Sequence, residues 1–334
     1  MVRLKSIVAS KDDLLDALFD RTYAHLSEAG KRIFLTLCSW NSYIPELALE
    51  AVILKNSEEF IDVKKATDEL INCSFVERYA FEKEEYSFVK APLTALIFGK
   101  KKIAVSSYKI NIDSDMQILQ LFGATQESDI QHGIALKINI LIQKITNLVQ
   151  NNKIEKSTLL PMLEFIAKRY QPAWMLISQA MINIDHDYGL AKQYIKRFIE
   201  NATNHDDIRY AWSKLYSICK LDSDYEGILQ SAFALAEIHG AGIEEISEAA
   251  NRINNLLYQR LVVIDTEKKS HIISRLAELM EKNLEKANAD DCSRLAWLYL
   301  HMQRTDKALE ICARGLELDD SNEHCLRLHA RLTA

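Results

Sequence analysis

The sequence predicts a mainly α protein in two parts: a small amino-terminal module that closes with a β-hairpin, then a long stack of helices. Three observations predict it. Glycine and proline are scarce, nine and four in 334 residues, where average usage would give about 12 % for the pair, so turns are few and elements long. The hydrophobic period changes from 3.6 to 2 after Ile71, between Ser74 and Val89. From about Phe98 onward apolar residues return at helical spacing, in segments of a dozen or more residues separated by short polar breaks. The length suits about two domains, each with chain enough for a core.

Hydrophobic residues make up 48 % of the chain and charged residues 26 %, as in ordinary globular proteins. No run of eighteen apolar residues and no charged-then-apolar leader occurs, so a cytoplasmic protein with no membrane partner is expected. A formal charge of −6 gives no global attraction to nucleic-acid phosphates or anionic lipid. The cysteines at 38, 73, 219, 292, 312 and 325 form no Cys-x-x-Cys pair and sit in helical apolar patterns. They read as reduced core residues.

Ser10 and Asp13 have the spacing of a capping box, so a first helix is expected near Ser10, with Leu14, Leu15, Leu18, Phe19 and Tyr23 on its apolar face. Ser27 is an N-cap candidate ahead of Ile33, Phe34, Leu37 and Cys38. Pro45 opens a third helix with Leu47, Leu49, Val52 and Leu54, and Asp62 caps a fourth with Val63, Ala66, Leu70 and Ile71 inward. Ser74–Phe81 and Glu85–Val89 then alternate and are rich in aromatic and β-branched residues, joined by Glu82-Lys83-Glu84. A hairpin after three helices is a winged helix.

The strings Leu26–Leu37, Leu47–Val52 and Ala66–Glu77 resemble the winged-helix domain that follows the nucleotide-binding core of STAND NTPases, over about Asp12 to Lys102. The chain departs from that family in two ways. Gly30-Lys31 is followed by Arg32 and has His25 where the first glycine of a phosphate loop would stand, so the NTPase core is absent and the chain looks like the part downstream of one. Relatives also place a phosphate-contacting His just past the second wing strand, where Phe88-Val89-Lys90-Ala91-Pro92 stands here; Lys90 reads as a solvated strand end. A winged helix is also a DNA-binding fold. The candidate recognition helix sets Asp62, Asp68 and Glu69 against Lys64 and Lys65, the wing carries Glu77, Glu82, Glu84 and Glu85, and the run Lys100–Lys102 lies past it. That surface offers phosphates little, so nucleic acid is not the expected partner.

Ile103–Lys109 lack helical period and read as a connector. Helices are expected near 113–123, 129–151, 155–169, 172–183, 188–201, 206–221, 224–239, 243–257, 270–287, 290–302, 305–318 and 321–332, lengths suited to stacked pairs. From Ala289, the residues Leu295, Ala296, Tyr299, Ala308 and Gly315 fall at the large, small and aromatic positions of a tetratricopeptide repeat, which the segment resembles. Cys292, Cys312 and Asp320 replace that repeat's usual Trp, aromatic and Pro. Tyr188–Tyr194 and Tyr225–Leu229 resemble second-helix starts close to one repeat period apart, with Trp174 and Trp212 in comparable first-helix surroundings. The expected organisation is a winged-helix domain over 1–102, a helical connector over 103–169 and tetratricopeptide-like repeats over 170–334.

No constellation argues for catalysis, a metal or a cofactor. His186 between Asp185 and Asp187 sits in an inter-helix turn, and Cys325 with His329, or Cys312 with His324, lacks the paired-cysteine element of a metal site. The useful surface is the concave groove of the last repeat, whose groove positions are Asp290, Ser293, Trp297, Leu300 and His301. Trp297 is either an exposed anchor for a partner or a residue packed on the preceding repeat. Taken together, the resemblance implies a non-enzymatic regulatory and sensing module of a STAND-type signalling protein, used in defence. It would bind a protein ligand through its repeats and hold an adjacent NTPase domain at rest. A winged-helix transcription regulator with a repeat sensor, or a plain interaction scaffold, are the alternatives.

Overall fold

The structure is a computed structural model that describes residues 2–54, 61–80 and 86–333, with side chains from residue 14 onward. It is mainly α with one small antiparallel sheet. Contacts divide the chain into two compact units, Met1–Asp185 and His186–Ala334, so residues 103–185 group with the amino-terminal helices.

The first unit runs α1 (Val2–His25), α2 (Glu28–Ser39), β1 (Ile44–Pro45), α3 (Glu46–Leu54), α4 (Val63–Asn72), β2 (Glu77–Tyr79), β3 (Phe88–Lys90) and α5 (Leu93–Ile103). Five helices complete it: α6 (Lys109–Phe122), α7 (Glu127–Ile130), α8 (Ala135–Gln150), α9 (Lys156–Arg169) and α10 (Ala173–Asp185). The strands order β1-β3-β2, with Ile44 opposite Val89 and Arg78 opposite Val89 on the other side. The tip Glu82-Lys83-Glu84 lies outside the described residues. Two of the three predicted caps form: Ser27 Oγ accepts the Gly30 N–H at 2.9 Å, and Asp62 accepts the Lys65 N–H at 3.0 Å. Ser27 also donates its backbone N–H to Glu69 Oε1 at 2.8 Å, tying α2 to α4.

Helix α2 is the spine, buried without a break from Arg32 to Cys38. Phe34 stacks on Phe75 at 4.7 Å between centroids, and Phe19 and Phe98 complete the cluster. Arg32 is buried in that spine because Asp115 of α6 meets its guanidinium at 2.6 Å. A buried cation of this kind persists only when paired. Gly99 of α5 is required by packing, since a Cβ there would overlap the Cys38 sulfur.

Four expectations need correction. Helix α1 begins at Val2, well before Ser10, because a short polar stretch does not by itself stop a helix. Of its expected apolar face only Phe19 and Tyr23 pack against other rings; Leu14, Leu15 and Leu18 are 61 %, 46 % and 54 % exposed. Cys73 is exposed while the other five cysteines are buried, all as free thiols. Lys90 is half-buried, its ammonium 4.5 Å from the Tyr43 ring centroid, an attraction that holds it at the strand end. The basic run Lys100–Lys102, which reads from sequence as a solvated helix end or a linker, forms the last turn of α5.

The second unit contains α11 (Tyr188–Asn201), α12 (His205–Leu221), α13 (Tyr225–Glu237), α14 (Ile243–Tyr258), α15 (Thr266–Lys282), a 3-10 turn (Leu284–Lys286), α16 (Ala289–His301), α17 (Thr305–Leu318) and α18 (Glu323–Thr333). Each helix packs on the next, and α14 also reaches α16, as α16 reaches α18. That is a stack of helix pairs held by nearest neighbours. Ala296 and Ala308 are fully buried, and a Cβ on Gly315 would lie 2.6 Å from the Cys325 sulfur and 3.0 Å from Cys292 Cβ. Small residues here let α16, α17 and α18 approach closely. Among the described residues no helix is long and apolar enough to cross a membrane.

Candidate functional site: a cleft between three helices

Helix α16 starts cleanly because Asn288 and Asp291 cap it reciprocally, each accepting the other's backbone N–H at 2.9 Å. That start fixes the phase of the helix. Leu295, Ala296 and Tyr299 turn into the core while Asp290, Ser293, Arg294 and Trp297 face a cleft of about 490 Å³. Asn251, Asn254, Asn255 and Tyr258 of α14 form its second wall, and His324 and Arg327 of α18 its third. Three of the five groove residues expected from sequence therefore share this cleft. Leu300 and His301 do not line it.

Trp297 is half-buried, so it is neither a free surface ring nor a core residue. Tyr258 meets it edge-on with centroids 5.7 Å apart, His301 lies at 6.2 Å, and the Arg331 guanidinium sits 5.5 Å from its centroid. These contacts hold the indole in one orientation on the cleft wall. His301 is half-buried, its Nε2 is dry and without a hydrogen-bond partner, and burial, aided by the Lys269 charge, pushes its imidazole below the usual histidine range.

The charges around the cleft are largely spoken for. Arg294 donates to Ser247 Oγ at 3.0 Å and stands 3.9 Å from Asp291 and 4.0 Å from Glu248. Arg327 pairs with Glu323 along α18, and Asp290 accepts from the Asn322 amide at 2.7 Å. Ser293 donates to the Asp290 carbonyl at 2.8 Å. Asn254 is 7 % exposed; its Nδ2 donates to the Arg294 carbonyl at 3.0 Å, and its Oδ1 is buried with no partner.

Asn251, Asn254, Asn255 and Tyr258 escaped the sequence reading, although their i, i+3, i+4, i+7 spacing marks one helix face. The signal was present, but nothing local says that α14 rather than α15 stands beside α16. The other clusters weighed from sequence come apart. Asp185 pairs with Lys156 at 2.6 Å, Asp187 caps α11 by accepting the Leu190 N–H at 2.9 Å, and the His186 ring lies beside Tyr188. Cys325 donates to the Ala289 carbonyl at 3.3 Å, and burial pushes its thiol up to about 11. The described residues hold no group of three or more side chains placed to bind a metal ion.

No family model and no curated protein matches the sequence. Among solved structures, the TPR domain of P58(IPK) aligns with 86 % of this chain and 77 % of its own at 11 % identity, with a TM-score of 0.26. So loose a correspondence carries no argument.

Proposed function

We propose that this chain is a non-catalytic regulatory and sensing module that binds a protein ligand through the α14–α16–α18 cleft of tetratricopeptide-like repeats. The observation that carries the reading is Trp297, half-buried on the wall of a cleft built by three helices and held there by Tyr258 and Arg331. Aromatic side chains so placed are the usual anchors of protein interfaces. The amino-terminal part is a winged helix, a reading supported by the element order helix, strand, helix, helix, strand, strand and by the sheet order β1-β3-β2. Its likeness in sequence to STAND proteins supports a cytoplasmic signalling role in defence, in which the winged helix restrains a nucleotide-binding partner domain.

The test is selection of a displayed library of random peptides on the intact protein, with the Trp297→Ala variant as competitor. Peptides that bind the wild type and are lost by the variant, whose melting temperature stays close to the wild type, support the reading. Failure to enrich any discriminating peptide overturns it. A salt-dependent shift of duplex DNA would favour the transcription regulator instead.

A further inference from the structure

We infer that the corner between α5 and α6 docks on an anionic lipid surface, with Val105 and Ile110 entering the headgroup layer while Lys100 and Lys109 meet the negative headgroups. The contact is superficial, not a span, and it does not depend on the α14–α16–α18 cleft.

Between Glu85 and Asp113 the chain carries five lysines and no acidic residue, whereas 47 of its 334 residues are acidic. The same stretch holds apolar side chains that no core claims. Val105 and Ile110 are 83 % and 82 % exposed, and of the described large apolar residues only Val263 exceeds them. Leu93 and Ile97, one turn apart on α5, are 71 % and 52 % exposed. Lys100 and Lys101, also exposed, continue that outward row toward the corner. Folding gains nothing from aliphatic groups left in water, and such groups gathered in one place mark a contact surface.

The corner is built to hold them out. The Val105 N–H donates to the Lys102 carbonyl at 3.2 Å and the Ser106 N–H to the Ile103 carbonyl at 3.1 Å. Tyr108 donates its N–H to Ser106 Oγ at 3.1 Å and its hydroxyl to Glu28 at 2.8 Å. A turn fixed in this way has little order left to lose on docking. Lys101 and Lys102 are paired with Asp16 and Asp20. Among the described residues Lys100 and Lys109 make no ion pair, and Asp113 stands one turn further along α6.

The two chemistries together select the partner. Nucleic-acid phosphates take lysines but have no use for protruding aliphatic groups. An anionic bilayer takes both, since its charge draws the lysines and its acyl boundary takes the apolar tips. The net charge of −6 does not oppose this, because charges beyond a Debye length, about 8 Å at physiological salt, are screened.

The experiment is flotation of the intact protein with vesicles of phosphatidylcholine alone or mixed with phosphatidylserine. The expected result is binding to the mixed vesicles only, with release by salt. Val105→Ser combined with Ile110→Ser should weaken partitioning at least roughly tenfold. Lys100→Gln combined with Lys109→Gln should weaken it roughly twentyfold, about fivefold for each charge. Both pairs should leave the melting temperature close to wild type, since all four side chains are exposed. Leu14→Gln combined with Leu18→Gln, exposed on α1, should leave flotation unchanged. Absence of flotation with the mixed vesicles, or equal flotation with phosphatidylcholine alone, overturns the inference. So does flotation that survives the Val105 and Ile110 substitutions, or that is lost with the Leu14 and Leu18 pair, since the corner would then not be what enters the bilayer. A shift of duplex DNA abolished by the lysine pair and untouched by the Val105 and Ile110 pair would make the corner a nucleic-acid contact and overturn it as well.

Discussion

At the scale of single residues, Trp297 carries contacts inside the protein and offers one face outward. Its replacement by Ala should therefore weaken a cleft-bound peptide by about 2 kcal/mol or more and cost about 1–2 kcal/mol of stability, measured by titration and by denaturant melts. A loss of 3–5 kcal/mol, the range for a core aromatic, would mean that the ring is structural. His301 supplies a pH dependence. Its folded pKa is depressed, so the unfolded chain binds the proton more readily. Stability is undiminished above the ordinary histidine pKa of about 6.5 and falls as pH drops through it. The His301→Gln variant should flatten that decline between about pH 7 and 5; an identical slope would remove His301 as its source. Gly315→Ala should destabilise by about 1–3 kcal/mol through overpacking against Cys325 and Cys292. Residues of this kind differ in how visible they are beforehand. Asp290, Ser293 and Trp297 follow from position within one repeat, whereas Arg32 and Asp115 form a buried pair across 83 positions, a partnership no local pattern encodes.

At the scale of elements, α2 and α4 were legible because their caps and apolar stripes agree, and the change of period near Ser74 marked β2 and β3. Helix α1 shows where periodicity misleads: leucines at helical spacing imply a buried face only if something covers it, and α1 meets the core through Phe19 and Tyr23. Replacing Leu14, Leu15 and Leu18 together by Gln should move stability by no more than about 0.5 kcal/mol per site, while Phe19→Ala should cost about 2–3 kcal/mol. Equal effects in thermal melts would place the leucines in a core. Helix α5 was legible only at its end, since a glycine followed by three lysines reads as a helix end or a linker and says nothing of the turns before it. The glycine is there for the Cys38 sulfur, and Lys101 and Lys102 pair with Asp16 and Asp20 of α1 at 2.7 and 2.5 Å.

At the scale of the whole chain, two units with separate cores should melt as two transitions, each recovered by expressing residues 1–185 or 186–334 alone. A fragment ending at residue 102 would strand the Arg32 guanidinium without Asp115, a loss of about 3–5 kcal/mol, and should be far less stable than residues 1–185. Equal midpoints in urea would show that the pair is dispensable. The cysteines make the two halves separately observable. Cys73 lies open to reagent, Cys38 is sealed inside the first unit, and Cys219, Cys292, Cys312 and Cys325 are sealed inside the second. A thiol wedged against a neighbouring helix, as Cys38 is at Gly99 and Cys325 at Gly315, reacts only when that helix pair parts. Alkylation should therefore proceed as one immediate step followed by slower ones. Their rates relative to Cys73 time how often each half breathes, so the native side chains act as clocks for local opening without any label being introduced.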